Sequence, residues 1–224
     1  MPYASVNSRQ KKPAMTAPKN MYIYLDEMAP PGKMPPTMYA NFSAVARADL
    51  WHPQEGQGKI ESLMSGKEYS GNMVLVGHGM RGRAVVNMNG KKNNYNGESL
   101  AGFLKDAIPE IYRRQTKHIF ALQCNASLPR REKVTSAADG VVTQKAIEGS
   151  SLTASLAQSL SSDKGDWPNV QAVHGNKWIT VYKASVLQLN ANNMRTLGNG
   201  VEIGFGEVDK ITDPKSYKTT EKIA

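Results

Sequence analysis

The stretch Met73-Val74-Leu75-Val76-Gly77-His78-Gly79 decides the reading of the fold. Its four consecutive apolar residues lie between Gly71-Asn72 and Gly77, the pattern of a central strand buried on both faces. The strand ends at a histidine flanked by glycines. A second run, His118-Ile119-Phe120-Ala121-Leu122-Gln123, has the same character and leads directly into Cys124. Between the two, Leu100, Phe103, Leu104, Ala107, Ile108 and Ile111 share one helical face after Glu98-Ser99, and Pro109 should kink or end that helix. A helical crossover between two parallel strands follows.

Outward from this unit, residues 21–25 read as a strand that breaks into a loop at Pro30-Pro31-Gly32 and Pro35-Pro36. Residues 38–50 carry apolar positions near helical spacing, and 54–58 read as a Gly- and Gln-rich loop. Residues 80–97 are polar, a hairpin or long loop, and 125–149 form a long basic loop without periodicity. Residues 151–161 predict an amphipathic helix through Leu152, Leu156 and Leu160. Residues 170–173 and 178–182 flank Gly175-Asn176 as a β-hairpin, and the stretch from Ala191 reads as irregular, with one short strand at 201–205. The expected organisation is a leader at 1–20, one α/β domain at 21–190 and an irregular C-terminal extension at 191–224.

With 224 residues, 40% of them hydrophobic, the chain can bury the core of one α/β domain, and two would be tight. Twenty-eight Lys+Arg against 19 Asp+Glu give a formal charge of +9, which suits a polyanionic partner: nucleic acid, an anionic membrane surface or a small polyphosphate. Aromatic residues make up only 7% and do not interleave with basic ones, so no stacking platform for single-stranded nucleic acid is visible and no nucleic-acid partner is expected. No apolar run approaches the roughly 20 residues needed to span a bilayer. Residues 1–20 lack the apolar centre of a cleavable secretory signal and read as a disordered leader. P-loop, Rossmann and zinc-ligand patterns are absent, and no metal is expected. The single cysteine excludes an intramolecular disulfide.

A cysteine nucleophile needs thiolate character, which a neighbouring imidazole supplies by taking the proton and pairing with the charge. His78 and Cys124 follow two apolar strands joined by one helix, and the carboxyl ends of an open parallel sheet are where its ligand crevice lies. Backbone N–H groups near Cys124 and Gly79 would complete an oxyanion hole. A loop histidine and a buried structural cysteine are the bland alternatives for the pair. His52, His118 and His174 read as ordinary, with His118 opening a strand and His174 at the hairpin turn.

The order strand, His-Gly, helix, strand, Cys resembles the caspase-like cysteine peptidases. It is most similar to their inositol hexakisphosphate-activated autoprocessing branch in RTX toxins and clostridial glucosylating toxins, with relatives among type III effectors. The segments that carry the likeness are 74–79, the helix start Ser99-Leu100-Ala101, Ala121-Leu122-Gln123-Cys124-Asn125, and the helix and hairpin that follow, together about residues 20 to 185. The resemblance implies a caspase-like sandwich with a mostly parallel central sheet, helices on both faces and a C-terminal hairpin flap. It implies His78 as general base, Cys124 as nucleophile and Asp26, just after the first strand, as the residue orienting the histidine. It further implies an allosteric inositol hexakisphosphate pocket drawing on Arg47, Arg130, Arg131, Lys133, Lys145, Lys177 and Lys183.

By the same resemblance the chain would be a monomeric bacterial effector or toxin, secreted without a cleavable signal and acting on a protein or peptide in host cytoplasm. Gln123 departs from the glycine that commonly precedes the nucleophile in that branch. No neighbouring toxin region is evident, so cleavage in trans is expected rather than self-release. The rival readings are an inactive relative that binds a polyanion or host protein through its basic surface, and a Cys-His acyltransferase.

Overall fold

The computed structural model describes residues 18–25, 50–123, 125–136, 138, 140–175, 196–197, 200–201, 214–216 and 219–223. In chain order these form β1 (Lys19–Tyr24), β2 (Leu50–Trp51), a 3-10 turn at Pro53–Glu55, α1 (Gln57–Met64), β3 (Tyr69–Gly77), β4 (Gly79–Met80), β5 (Arg83–Met88) and β6 (Lys91–Tyr95). There follow α2 (Gly97–Ala107), α3 (Glu110–Gln115), β7 (His118–Gln123), β8 (Arg131–Thr135), β9 (Val142–Ala146), α4 (Leu152–Ser162), β10 (Ala172–Gly175), β11 (Thr196–Leu197), β12 (Gly200–Val201) and β13 (Thr219–Lys222).

The chain is α/β, built on a six-stranded sheet in the order β13-β10-β7-β3-β1-β2. All neighbours run parallel except β13, which is antiparallel to β10. The two apolar runs that decide the sequence reading, β3 and β7, are the central pair. In register, Met73 faces Ile119 and Leu75 faces Ala121, and all four are fully buried. Burying a side chain such as Leu75 contributes about 1.5–3 kcal/mol relative to exposure.

Alternate strand residues Met21, Ile23, Leu25, Met73, Leu75, Ile119, Ala121 and Val173 join one core cluster with Ile60 and Met64 of α1, Leu100 and Leu104 of α2, and Leu152, Leu156 and Leu160 of α4. These three helices therefore cover one face. Residues 38–49 of the further helix expected at 38–50 lie outside the described residues. The opposite face, with Tyr22, Tyr24, Val74, Val76, Phe120 and Leu122, is buried too.

The Asn96 side chain caps α2 by accepting from Ser99 N–H at 2.8 Å. Ile108 takes an extended conformation ahead of Pro109, as a residue preceding proline tends to, and α3 starts beyond the proline. Ser151 caps α4 by accepting from Ala154 N–H at 3.1 Å. The two helices touch at Gly97, where an added Cβ would lie 2.1 Å from Leu156 N.

Several other expectations are corrected. The loop read at 54–58 contains the start of α1, which opens immediately after Gly56 at φ 76°. Leu50 opens β2 instead of closing a helix, and residues 38–49 lie outside the described residues. The long basic loop at 125–149 holds the exposed hairpin β8–β9. Lys19 and Asn20, assigned to the leader, belong to β1. Gly175, expected in a turn, ends β10, paired with Ala121 and Thr219, and a Cβ there would lie 2.2 Å from Thr153 Cγ2. The antiparallel partner of β10 is β13, from the stretch read as irregular, while residues 178–182 lie outside the described residues. The residue pairs 196–197 and 200–201 form a small antiparallel ladder.

Candidate active site

The β3–β7 ladder runs from Asn72↔His118 to Gly77↔Gln123, so the last rung before the carboxyl rim is Gly77 beside Gln123. The next residue in each strand's direction is His78 on one chain segment and Cys124 on the other. Neighbouring strands are about 4.8 Å apart. His78 is exposed, lies between β3 and β4, and its carbonyl accepts from Val85 N–H at 2.9 Å. Its backbone is therefore held by the central sheet on one side and by the antiparallel sheet β4-β5-β6 on the other.

Leu25, the last described residue of the first strand segment, reaches the same rim. Its N–H donates to Val76 O at 2.8 Å and its carbonyl accepts from Asn87 N–H at 2.7 Å. From β1 the chain goes outward to β2 and then returns past β1 to β3, so the strand order reverses between β1 and β3. The crevice at such a reversal, outside the carboxyl ends, is the usual ligand site of an open α/β sheet. His78 stands at its edge.

Asp26, Arg47, Cys124, Lys177 and Lys183 lie outside the described residues. On either side of Cys124 the chain is described. Asn125 adopts φ 60°, the left-handed region that asparagine tolerates better than most residues. Ala126 N–H donates to Gln123 O at 3.4 Å and Leu128 N–H to Asn125 O at 3.0 Å, a turn leaving β7. Fully buried Ala126 is docked on the first turn of α4, because its carbonyl accepts from Thr153 N–H at 3.2 Å. The N-terminal end of α4, the positive end of its dipole, thus meets Ala126, which is two residues beyond the cysteine in sequence.

Gln123 is fully buried, yet neither Nε2 nor Oε1 has a hydrogen-bond partner among the described residues. Sequence inspection marks Gln123 only as a departure from a family pattern; its burial follows from alternation with Ile119 and Ala121 once the register is known.

The basic candidates that are described divide between surfaces. Arg130 sits at the base of the β8–β9 hairpin, its N–H donating to Ser150 Oγ at 2.8 Å. Arg131 faces Ala146 and Lys133 faces Gln144, whereas Lys145 faces Glu132 one residue out of phase. Arg131 and Lys133 therefore share one face of the ribbon, and Lys145 lies on the other. All four are exposed.

The sequence reading missed a second polar cluster. His118 Nδ1 lies 3.2 Å from His174 Nε2, and His174 Nδ1 lies 3.0 Å from Thr220 Oγ1 of β13. Phe120 stacks on His174 with ring centroids 4.6 Å apart. His174 is thus an inner residue of β10, not the turn residue expected. Burial, with His118 adding to it, pulls the His174 pKa down to about 4, and burial followed by the Lys117 charge lowers that of His118. Both imidazoles are neutral at pH 7.

Among the described residues no three His, Cys, Asp or Glu side chains gather as metal ligands, and no helix is long and apolar enough to cross a membrane. No family model matches the chain, and a search of the curated proteins finds no match.

Proposed function

We propose that the chain is a cysteine peptidase of caspase-like architecture in which His78 and Cys124 form the catalytic dyad. The observation that carries this reading is the Gly77↔Gln123 rung: the two residues next in sequence follow adjacent parallel strands at one rim, beside the reversal of strand order. His78 accepts the thiol proton, and the Cys124 thiolate adds to the scissile carbonyl. Collapse of the tetrahedral adduct expels the amine, which takes the proton from His78, and leaves a thioester. Water, giving its proton to His78, then attacks the thioester and releases the carboxylic acid and the free thiol. Asp26, the residue after Leu25 in sequence, would orient the imidazole.

The proposal extends to an effector or toxin secreted by a bacterium that cleaves a host protein in the cytoplasm, with inositol hexakisphosphate as allosteric activator. Support for an anionic ligand is the net charge of +9 and the exposed Arg131–Lys133 face. The same exposed hairpin favours a second reading, an inactive relative that binds a polyanion or partner protein through β8–β9. A Cys-His acyltransferase would share the thioester and differ in having an amine capture it.

The test is thiol-probe labelling and cleavage of a peptide library, with and without inositol hexakisphosphate, for the natural chain and for Cys124→Ala and His78→Ala. Cleavage lost in both variants supports the peptidase. A biological effect that survives both substitutions overturns it in favour of the binding reading, and product mass separates hydrolysis from acyl transfer.

A further inference from the structure

The hairpin β8–β9 is a two-stranded sheet of its own, and all ten residues of its strands are exposed. A two-stranded ribbon by itself is marginally stable in water. This one stands on a close-packed base: a Cβ added at Gly82, in the turn joining β4 to β5, would lie 2.6 Å from Arg130 Cγ and 2.3 Å from Ser150 O. Ile147 N–H donates to Arg130 O at 3.0 Å and Ser136 N–H to Val141 O at 2.9 Å, one bond at either end of the ladder. Hydrogen-bonded pairs recur at every second residue of an antiparallel ladder, so Glu132↔Lys145 and Val134↔Thr143 are bonded pairs as well. The backbone N–H and C=O groups of Arg131, Lys133 and Thr135 therefore point away from β9, and nothing among the described residues pairs with them. The side chains of these three share one face of the ribbon. No carboxylate pairs with Arg131 or Lys133 among the described residues, and Arg131 Nη1 reaches the neutral Gln144 Oε1 at 3.4 Å. On the opposite face Glu132 lies across from Lys145, and Val134 next to it is 38% exposed. The outer edge of β9 turns Val142, Gln144 and Ala146 outward and carries no charge there.

We infer that the outer edge of β8 docks an extended peptide in which acidic and apolar residues alternate. The peptide backbone adds a third strand to the ribbon by bonding the open N–H and C=O groups of Arg131, Lys133 and Thr135. Acidic side chains two residues apart on such a strand recur at about 6.6–6.8 Å, the spacing of Arg131 and Lys133 along the same face. The side chains between them fall on the face of Val134, where Glu132 repels a further acid and an apolar residue fits. A polyphosphate would use the two cations alone, whereas the peptide uses the backbone edge as well. The docking goes beyond the dyad reading and does not depend on it.

The test is fluorescence anisotropy of the full chain with a short labelled peptide of alternating glutamate and valine. Two further peptides carry backbone N-methyl groups, one on every glutamate and the other on every valine. Successive N–H groups of an extended strand point to opposite sides, so only one of the two methylated peptides is blocked from pairing. Expected are binding of the parent peptide, a loss of about tenfold or more in one methylated peptide and near-parent affinity in the other. The protein is the same in all three titrations, so the comparison requires no variant to fold. Arg131→Gln with Lys133→Gln should then weaken the parent peptide about fivefold, the size of two exposed ion pairs. Failure of the parent peptide to bind overturns the inference. Equal affinity of the two methylated peptides, or tighter binding of a poly-glutamate peptide than of the alternating one, overturns it in favour of a polyanion held by charge alone. Dimerisation of the free chain in sedimentation, abolished by the same double substitution, overturns it in favour of a second copy of the chain on this edge.

Discussion

His174 hydrogen-bonds Thr220 across the antiparallel β10–β13 pair while its other ring nitrogen meets His118 on the parallel neighbour β7. One imidazole thus spans three strands. Its folded pKa of about 4 lies below the ordinary 6.5, so the folded state resists the proton and the unfolded state accepts it. Stability is complete above about pH 6.5 and falls as the pH drops towards 4, by about 3 kcal/mol over that window at 1.36 kcal/mol per pH unit. Urea midpoints between pH 7 and pH 4 should show this slope, and His174→Gln should flatten it.

A separate acid step is expected at lower pH. Asp166 pairs with Lys105 and Arg113, and the hydrogen bonds from these two groups hold its carboxyl at about 2. Stability from this network is present above about pH 3.8 and lost as the pH falls towards 2. Asp166→Asn should remove that step without changing the His174 slope, which pH titration of the two variants would show.

Gly97→Ala should cost about 1–3 kcal/mol, because the new methyl meets the backbone of α4, which cannot turn aside as a side chain would. The reverse trend normally holds inside helices, where alanine is favoured over glycine by up to about 1 kcal/mol. Chemical denaturation gives the sign directly, and a stabilised Gly97→Ala protein would mean that the two helices do not approach this closely.

His78→Ala should leave stability within about 0.5 kcal/mol of the natural chain, since the side chain is exposed at the rim, while the proposed peptidase activity is lost. Paired melting and cleavage measurements separate this outcome from general unfolding.

Charge reversal on the ribbon should be face-specific. Arg131→Glu with Lys133→Glu should weaken the proposed binding of inositol hexakisphosphate more than Lys145→Glu does, because only the first two share a face. Titration calorimetry at fixed salt measures the difference; equal losses would mean that the anion does not sit on that face.

The central strands were legible because an unbroken apolar run admits few alternatives once glycines bound it, as at 71–77 and 118–123. The end of α2 was legible because Pro109 removes a donor the helix needs. The α1 helix was not, since it buries only Ile60 and Met64 and starts with Gln57-Gly58, residues that resemble a loop. The hairpin β8–β9 has ten exposed residues and so none of the alternation that burial imposes on one face. The β13 segment, Thr-Thr-Glu-Lys, is an edge strand whose pairing is set by the backbone of β10 rather than by apolar side chains.

Of the candidate site, the placement of His78 after a core strand could be read directly. The rung that makes Gly77 and Gln123 neighbours could not, because register is a property of two segments together. For the same reason the mutual contact of His118 and His174 escaped a reading that took each histidine singly.

The pairing of β13 with β10 joins residues 46 positions apart, from His174 to Thr220. A ribosome makes the outer edge of β10 long before the segment that covers it. Through that interval the edge presents a row of open backbone donors and acceptors to any other extended chain, the template on which polypeptides aggregate. Truncation before residue 219 would make the exposure permanent, so losses at this end of the chain should be felt first as poor solubility.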